Sequence, residues 1–480
     1  MRHLPTLPLP RAASGWLWAG ILVLLLAACG TLEAQPPGTE PVPVPAGAEH
    51  AFIATVDIAD ADTRESIAAA YGAEVVVWRP EAGFAVLGLP APDDAIDTLA
   101  GPADRPGSRP TLPMPANAAR NEGAFSVPQF GDAAALSVSA WAGGVNAWAG
   151  GVNAWAGGVN AWAGGVDNPF PGNEEYWAQM QLGQAQDATV NRGHGITIAI
   201  IDTGLDLKHS AFAGRLAPSS GWLDLVDGDA YPHEGYVEAC TRWRGKTCHE
   251  TSLVKTGNGV VFGHGTAVAG VALQAAPNAV LLPIRVLNSD GFGSATNVAI
   301  AIDHAIARGA DVINLSLGTF EPVPAIDQMV AYAGERGVAV VMASGNTGDG
   351  NVWYPAATAA GPDYPHAISV GSVDATDTKS WFSTYGLLET LAPGESISTL
   401  YPGDMIAYAL GTSFAAPWAA GTVALILGDG GSVSGAAPYV VNASDDIDHL
   451  NPDWVGLLGN GRLNALDAVS TALNSHPNKK

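Results

Sequence analysis

The sequence predicts an α/β protein built on a parallel β-sheet with helices on both faces. Three observations predict it. From Asn173 onward, continuous apolar runs recur at 196–201, 280–287, 312–317, 338–342 and 367–373. Amphipathic stretches separate them. Val298, Ala301, Ile302, Ala305 and Ile306 share one helical face, and Ile326, Met329, Val330 and Ala333 share another, with Gly309 and Gly337 as stops. Apolar strands alternating with such helices bury a sheet on both sides, and sheets of this kind carry their sites at the carboxyl ends of the strands. The third observation is length: 480 residues suffice for one large domain of this type and a smaller one.

The segments before Asn173 read in order as follows. Residues 1–28 form a signal peptide. Arg2 and Arg11 give a positive start, and the apolar run 16–28 is too short to span a bilayer as a helix. It closes with Leu26-Ala27-Ala28-Cys29, which resembles the lipobox of bacterial lipoproteins and implies a lipidated Cys29. An ordinary signal peptide with an incidental cysteine is the alternative. Residues 29–50 are a Pro-rich, extended spacer. Residues 51–100 form a small α+β unit, with strands at 51–56, 74–78 and 83–89, a helix at 63–71 ending at Gly72, and a second helix at 93–99. So few residues bury little core, so the unit needs a partner surface.

Residues 101–172 form a linker, rich in Pro, Ala and Gly up to about residue 132. At 141–166, Trp141, Trp148, Trp155 and Trp162 each open the repeat Trp-Ala-Gly-Gly-Val. A period of seven suggests a coiled coil, but paired glycines argue against helix. A stack of turns follows instead, either a spacer whose Trp residues pack on the neighbouring domain or an exposed surface for carbohydrate or cell wall. The large domain runs from 173 to 473, and 474–480 is a polar tail.

Composition narrows the partners. The chain is 48% hydrophobic and 14% charged, with a net charge of −25. Polyanions are repelled by such a surface, which argues against nucleic acid. Beyond Cys29, two cysteines remain in an exported chain, so a Cys240–Cys248 disulfide is expected. A zinc site with His233 and His249 is the rival, although the spacing matches no common finger.

Three separated segments carry chemistry. Asp202 ends the first apolar strand, in Asp-Thr-Gly. His264 lies in Gly-His-Gly-Thr, where Thr266 is an expected N-cap for a helix at 267–273. Ser413 precedes the most apolar helix, at 414–427. Each alone has an ordinary reading as a turn former, a helix start or an N-cap. Together they supply an acid, a base and a nucleophile. A serine hydroxyl needs a base to take its proton, a histidine serves near neutral pH, and an aspartate orients and stabilises the imidazolium. Asn346, just past the strand at 338–342, is a neutral donor for an oxyanion.

These segments resemble the subtilisin-like serine proteases. The resemblance covers about 173–473. It includes Gly-His-Gly-Thr-Ala-Val-Ala-Gly, Asn-Leu-Ser-Leu-Gly at 314–318, Ser-Gly-Asn at 344–346, Tyr354-Pro355-Ala356, Ala392-Pro393-Gly394 and Gly-Thr-Ser-Phe-Ala-Ala-Pro at 411–417. It implies a doubly wound, subtilisin-like parallel sheet and a serine endopeptidase with the triad Asp202, His264 and Ser413. Asn346 and the Ser413 N–H would be the oxyanion donors. Gly291-Phe292-Gly293 and Ser316-Leu317-Gly318 would pair with an extended peptide substrate, and Ala343-Ser344-Gly345 would line the main specificity pocket. The 51–100 unit resembles the family's propeptide, an intramolecular chaperone and inhibitor removed by self-processing. The precursor would then be held at a membrane through Cys29, with the mature enzyme released. The chemistry needs no cofactor, but Asp224, Asp227 and Asp229 resemble a structural calcium loop.

Phe414 stands where many members carry Met, which removes an oxidation-sensitive site. Trp418 and Ala267 also depart from the family pattern, at positions outside the triad. One rival is a serine-carboxyl peptidase, which would need a Glu base and an Asp at the oxyanion. Another is a non-catalytic surface protein that binds through its Trp repeats.

Overall fold

Local signals place the first elements. In the computed structural model the described residues are 50–90, 172–244, 247–255, 261–360 and 363–475, with short pieces at 115, 117–120, 125–126 and 138–139. The signal peptide, Cys29, nearly all of the spacer, the 93–99 helix, the Trp repeats and 476–480 lie outside them.

Strand β1 (Phe52–Asp57) leads to helix α1 (Arg64–Tyr71), which a Thr63–Ser66 capping box opens and Gly72, at φ 58°, closes. β2 (Glu74–Arg79) and β3 (Phe84–Leu89) follow. β3 lies between β2 and β1, antiparallel to each, and β4 (Ala119–Arg120) adds to the outer edge of β1. The unit therefore extends past residue 100. Its core is small, centred on Ala54, Ile67, Ala85 and Leu87. It rests on two helices of the large domain, α5 and α6 below. Arg79 pairs with Asp303 at 2.5 Å, Tyr332 donates to Glu81 at 2.9 Å, and the Phe84 and Tyr332 rings meet edge to face at 5.5 Å.

Two short linker strands come next, β5 (Phe125–Ser126) and β6 (Val138–Ser139). The large domain opens with α2 (Glu174–Gln179) and α3 (Leu182–Ala188). The buried Asn173 side chain ties this start to the core by donating to Gln274 and to the Ser398 carbonyl, each at 2.8 Å.

The central sheet is parallel throughout. It comprises β7 (Thr197–Asp202), β8 (Leu223–Asp224), β11 (Val280–Arg285), β13 (Val312–Leu315), β14 (Ala339–Ala343), β15 (Ala367–Val373) and β16 (Thr390–Pro393), in the order β16-β15-β14-β13-β7-β11-β8. All five expected strands are present. The two edges, β8 and β16, are short and were not announced by the apolar pattern. One arises inside the long 203–263 segment and the other ends at a proline.

The helices are α4 (His264–Ala275), α5 (Ala295–Ala307), α6 (Pro324–Glu335), the short α7 (Ala356–Ala359), α8 (Thr412–Gly428), α9 (Val433–Asn442) and α10 (Ala465–Ser475). Every residue of α8 from Thr412 to Ile426 is buried, as its continuous apolar sequence requires of a helix sunk in a core. α10 reaches Ser475, two residues into the expected tail.

β9 (Tyr236–Arg244) and β10 (Thr247–Lys255) form a separate hairpin. Its register sets Cys240 opposite Thr251 and Cys248 opposite Trp243. The two cysteines are thus offset by three residues, roughly 10 Å along a strand. A disulfide needs Cα atoms within about 7 Å, so this register does not make the expected bridge. Their side chains, and that of His249, lie outside the described residues. The other small sheets are β5 with β12 (Phe292–Gly293), and β17 (Ile397–Tyr401) with β18 (Met405–Ala409) and β6.

Candidate active site

The four residues assigned to the chemistry lie at the carboxyl edge of the sheet. Asp202 is the last residue of β7, His264 the first of α4, Ser413 the second of α8, and Asn346 lies three residues beyond β14. Close backbone packing brings them together. A Cβ on Gly265 would sit 2.2 Å from the Gly204 carbonyl oxygen, so only glycine lets the start of α4 lie against the Asp202-Thr203-Gly204 turn. The glycine next to His264 thus accommodates the protein's own backbone rather than a substrate. Gly263 caps α4 at φ 86°. Thr266 is not the cap expected; it lies inside the helix, and its hydroxyl accepts from the Asp206 N–H at 2.8 Å.

His264 Nδ1 is 2.7 Å from Asp202 Oδ1, and both side chains are buried. The Thr203 N–H donates to the same oxygen at 2.7 Å. His264 Nε2 has no hydrogen-bond partner among the described residues. Its ring lies 5.2 Å from that of Phe414, the neighbour of Ser413. Ser413 does not cap α8, because Gly411 holds that position. Its hydroxyl makes only a long contact, 3.4 Å, to the Ser316 carbonyl. An unengaged imidazole nitrogen and a loosely held hydroxyl at one helix start suit a base and a nucleophile before substrate arrives.

The Asn346 amide is oriented. Its Oδ1 accepts from both the N–H and the hydroxyl of Thr412, each at 2.9 Å, which commits the nitrogen end to donation. The segments assigned to substrate contact the same centre. The Ser316 hydroxyl donates to the Ser413 carbonyl at 2.7 Å, and the Gly345 N–H donates to the Thr412 hydroxyl at 3.1 Å. Ala343, Ser344 and Leu317 are buried, and Gly318 closes the 316–318 segment. Phe292 and Gly293 form the short strand β12, which pairs with β5, and Gly291 directly precedes it.

The Asp-rich loop does not fit a calcium ion. Arg285 Nη1 lies 2.9 Å from Asp224 and 2.5 Å from Asp227, while the Asp229 carboxylate accepts from the Tyr231 N–H. A guanidinium already neutralises the carboxylates a metal would need. Among the described residues no group of three potential ligands converges on a metal site, and the Cys240, Cys248 and His249 side chains of the zinc alternative lie outside them.

Sequence reasoning missed Glu234, an isolated acid in a loop with no pattern around it. It is fully buried, and its Oε2 is hydrogen-bonded to the Thr203 hydroxyl, which also accepts from the Gly265 N–H at 3.0 Å. Burial pushes its carboxyl up to about 8, and the nearby Asp202 adds to the shift. The unfolded chain would lose this proton near 4.5, whereas the folded chain keeps it to about 8. The contribution of Glu234 to stability is therefore fully present below the lower value and is lost as pH rises through that window. Glu234→Gln is expected to abolish this part of the fall and to stabilise the protein near pH 8 by a few kcal/mol. Urea unfolding of both forms across pH 4–9, in a Ser413→Ala background, checks it. Identical pH slopes would contradict the assignment.

A parallel sheet whose carboxyl edge gathers an Asp–His pair, a serine at a helix start and an oriented asparagine defines a serine hydrolase of the α/β class. The sequence profile of the Subtilase family matches residues 193–443, and the chain belongs to this family of serine endopeptidases. It is 36% identical over 305 residues to thermitase from Thermoactinomyces vulgaris, a match covering 63% of this chain and 98% of thermitase. It is 32% identical over 305 residues to a thermophilic serine proteinase from Bacillus sp. (strain AK1), covering 62% and 69% of the two chains. It is also 37% identical over 244 residues to subtilisin Savinase from Lederbergia lenta, covering 49% and 77%.

Proposed function

We propose that this chain is the precursor of an exported serine endopeptidase that processes itself, with Asp202, His264 and Ser413 as its triad. The 2.7 Å contact between His264 and Asp202, beside Ser413 and the oriented Asn346, carries the reading. Ser413 Oγ bonds to the peptide carbonyl carbon while His264 Nε2 takes its proton. Asp202 stabilises the imidazolium, and Asn346 with the Ser413 N–H holds the oxyanion. The C–N bond then breaks as His264 passes the proton to the leaving nitrogen. Water, deprotonated by His264, next cleaves the acyl-serine ester and restores the site.

The linker supports self-processing. β5 lies antiparallel on β12, with Phe125 opposite Gly293 and Ser126 opposite Phe292. β6 lies antiparallel on β18, with Val138 opposite Ala409, four residues before Ser413. The chain thus meets one flank of the site at 125–126 and another at 138–139, and the bond to be cut falls between these strands. The 51–100 unit, seated on α5 and α6 with β4 as its extension, serves as propeptide. Cys29 lies upstream of the cut, so lipid anchoring holds the precursor at the membrane and cleavage frees the enzyme.

A fluorophosphonate probe is expected to label Ser413 in the mature protein, and N-terminal sequencing should place its first residue within 127–138. An unlabelled Ser413 would overturn the peptidase reading. A labelled enzyme that begins elsewhere would overturn only the processing site.

A further inference from the structure

The two segments that converge on Ser413 and Asn346, 316–318 and 343–345, are the walls between which the side chain of the cleaved residue must enter. A peptide carbonyl held by Asn346 and attacked by Ser413 leaves its own side chain nowhere else to lie between these strands. Both walls end in glycine, as though a wide slot were left open. The slot is instead filled from inside the protein. A Cβ on Gly345, whose φ is 118°, would lie 2.5 Å from Trp353 Cδ1 and 2.9 Å from its Nε1. A Cβ on Gly318 would lie 3.2 Å from Trp353 Cβ and 3.3 Å from its Cε3. The missing side chains of the two glycines thus make room for one indole.

Trp353 is held firmly. Its N–H donates to the Ser344 carbonyl at 2.8 Å, and the next residue, Tyr354, exchanges two 2.9 Å backbone bonds with Thr319. Phe320 lies against the indole, with ring centroids 4.3 Å apart. Trp353 is 3% exposed, and its Nε1 is buried with no partner among the described residues.

We propose that Trp353 sets the substrate preference by occupying the primary specificity slot, so that the enzyme cleaves after glycine, alanine or serine and rejects aromatic and long aliphatic residues. The proposal rests on the endopeptidase reading above. A rigid interior resists overpacking, so a bulky side chain could enter only by displacing a braced indole. The linker between β5 and β6 offers suitable bonds of its own, after Gly131, Ala133, Ala134 and Ala135.

The test uses mature enzyme, counted by fluorophosphonate titration, and a series of peptide p-nitroanilides differing only in the residue before the cut. Wild type is expected to show kcat/KM for alanine at least about tenfold above that for phenylalanine. Trp353→Gly should raise the phenylalanine-to-alanine ratio by at least about tenfold. Phe320→Ala, which removes the brace and leaves the indole, should raise the ratio less. Wild-type preference for phenylalanine or leucine would overturn the proposal even if no variant folds, and so would an unchanged ratio in a titratable Trp353→Gly. Titratable enzyme that cuts after large residues refutes only the slot assignment, whereas no labelling and no cleavage refutes the endopeptidase reading itself.

Discussion

Ser413→Ala is expected to abolish peptide-bond hydrolysis, lowering kcat by about 10⁶-fold, a magnitude measured for subtilisin itself rather than obtained from this geometry. The reason is local. Without the hydroxyl no acyl-enzyme forms, and His264 and Asp202 retain a base with no nucleophile to activate. His264→Ala should cost about as much, and the double variant little more, because the residues act as one unit. The second consequence concerns location. If Cys29 is lipidated, the inactive variant should remain full length and membrane-bound, whereas wild type appears in the medium. Immunoblots of membrane and medium fractions decide this. Equal membrane retention of both forms would exclude release by self-cleavage, and wild-type turnover by Ser413→Ala would exclude the triad.

Asn346→Leu is expected to lower kcat by about 10²–10³-fold while leaving KM nearly unchanged, again the size known for subtilisin's own oxyanion asparagine. The split follows from the hydrogen bonds. Thr412 holds the amide oxygen through two donors, so the nitrogen end is fixed as the donor that an oxyanion would need. Such a donor acts on charge that exists only in the transition state, so substrate binding should not weaken. Leucine preserves the bulk and removes both the donor and the acceptor. Steady-state kinetics on a small-residue peptide substrate provide the check. A rise in KM with unchanged kcat would reassign Asn346 to ground-state binding.

Much of this architecture was legible from the sequence because its signals are local. Five central strands are continuous apolar runs, and burial on both faces demands that pattern. α8 is apolar all round because it is buried all round. Asp202, His264 and Ser413 were marked by neighbouring glycines, and the structure gives the reason at Gly265, where the Gly204 carbonyl leaves no room for a side chain. The expected cap at Thr266 failed for a related reason. Its hydroxyl has a long-range partner, the Asp206 N–H, which no local pattern announces.

The sequence by itself determined the sheet, the helices around it and the order of acid, base and nucleophile. Periodicity and turn chemistry act over a few residues and can be read from them. Only the folded arrangement shows that Arg285 neutralises the Asp-rich loop, that burial beside Asp202 raises the Glu234 carboxyl, and that the hairpin register separates Cys240 from Cys248. It also placed Trp353 between Gly318 and Gly345, β5 on β12 and β6 on β18. Each of these is a contact whose sign depends on burial or register, set by how distant segments pack. The residues were all in view, but what each one faces existed only after the chain had folded.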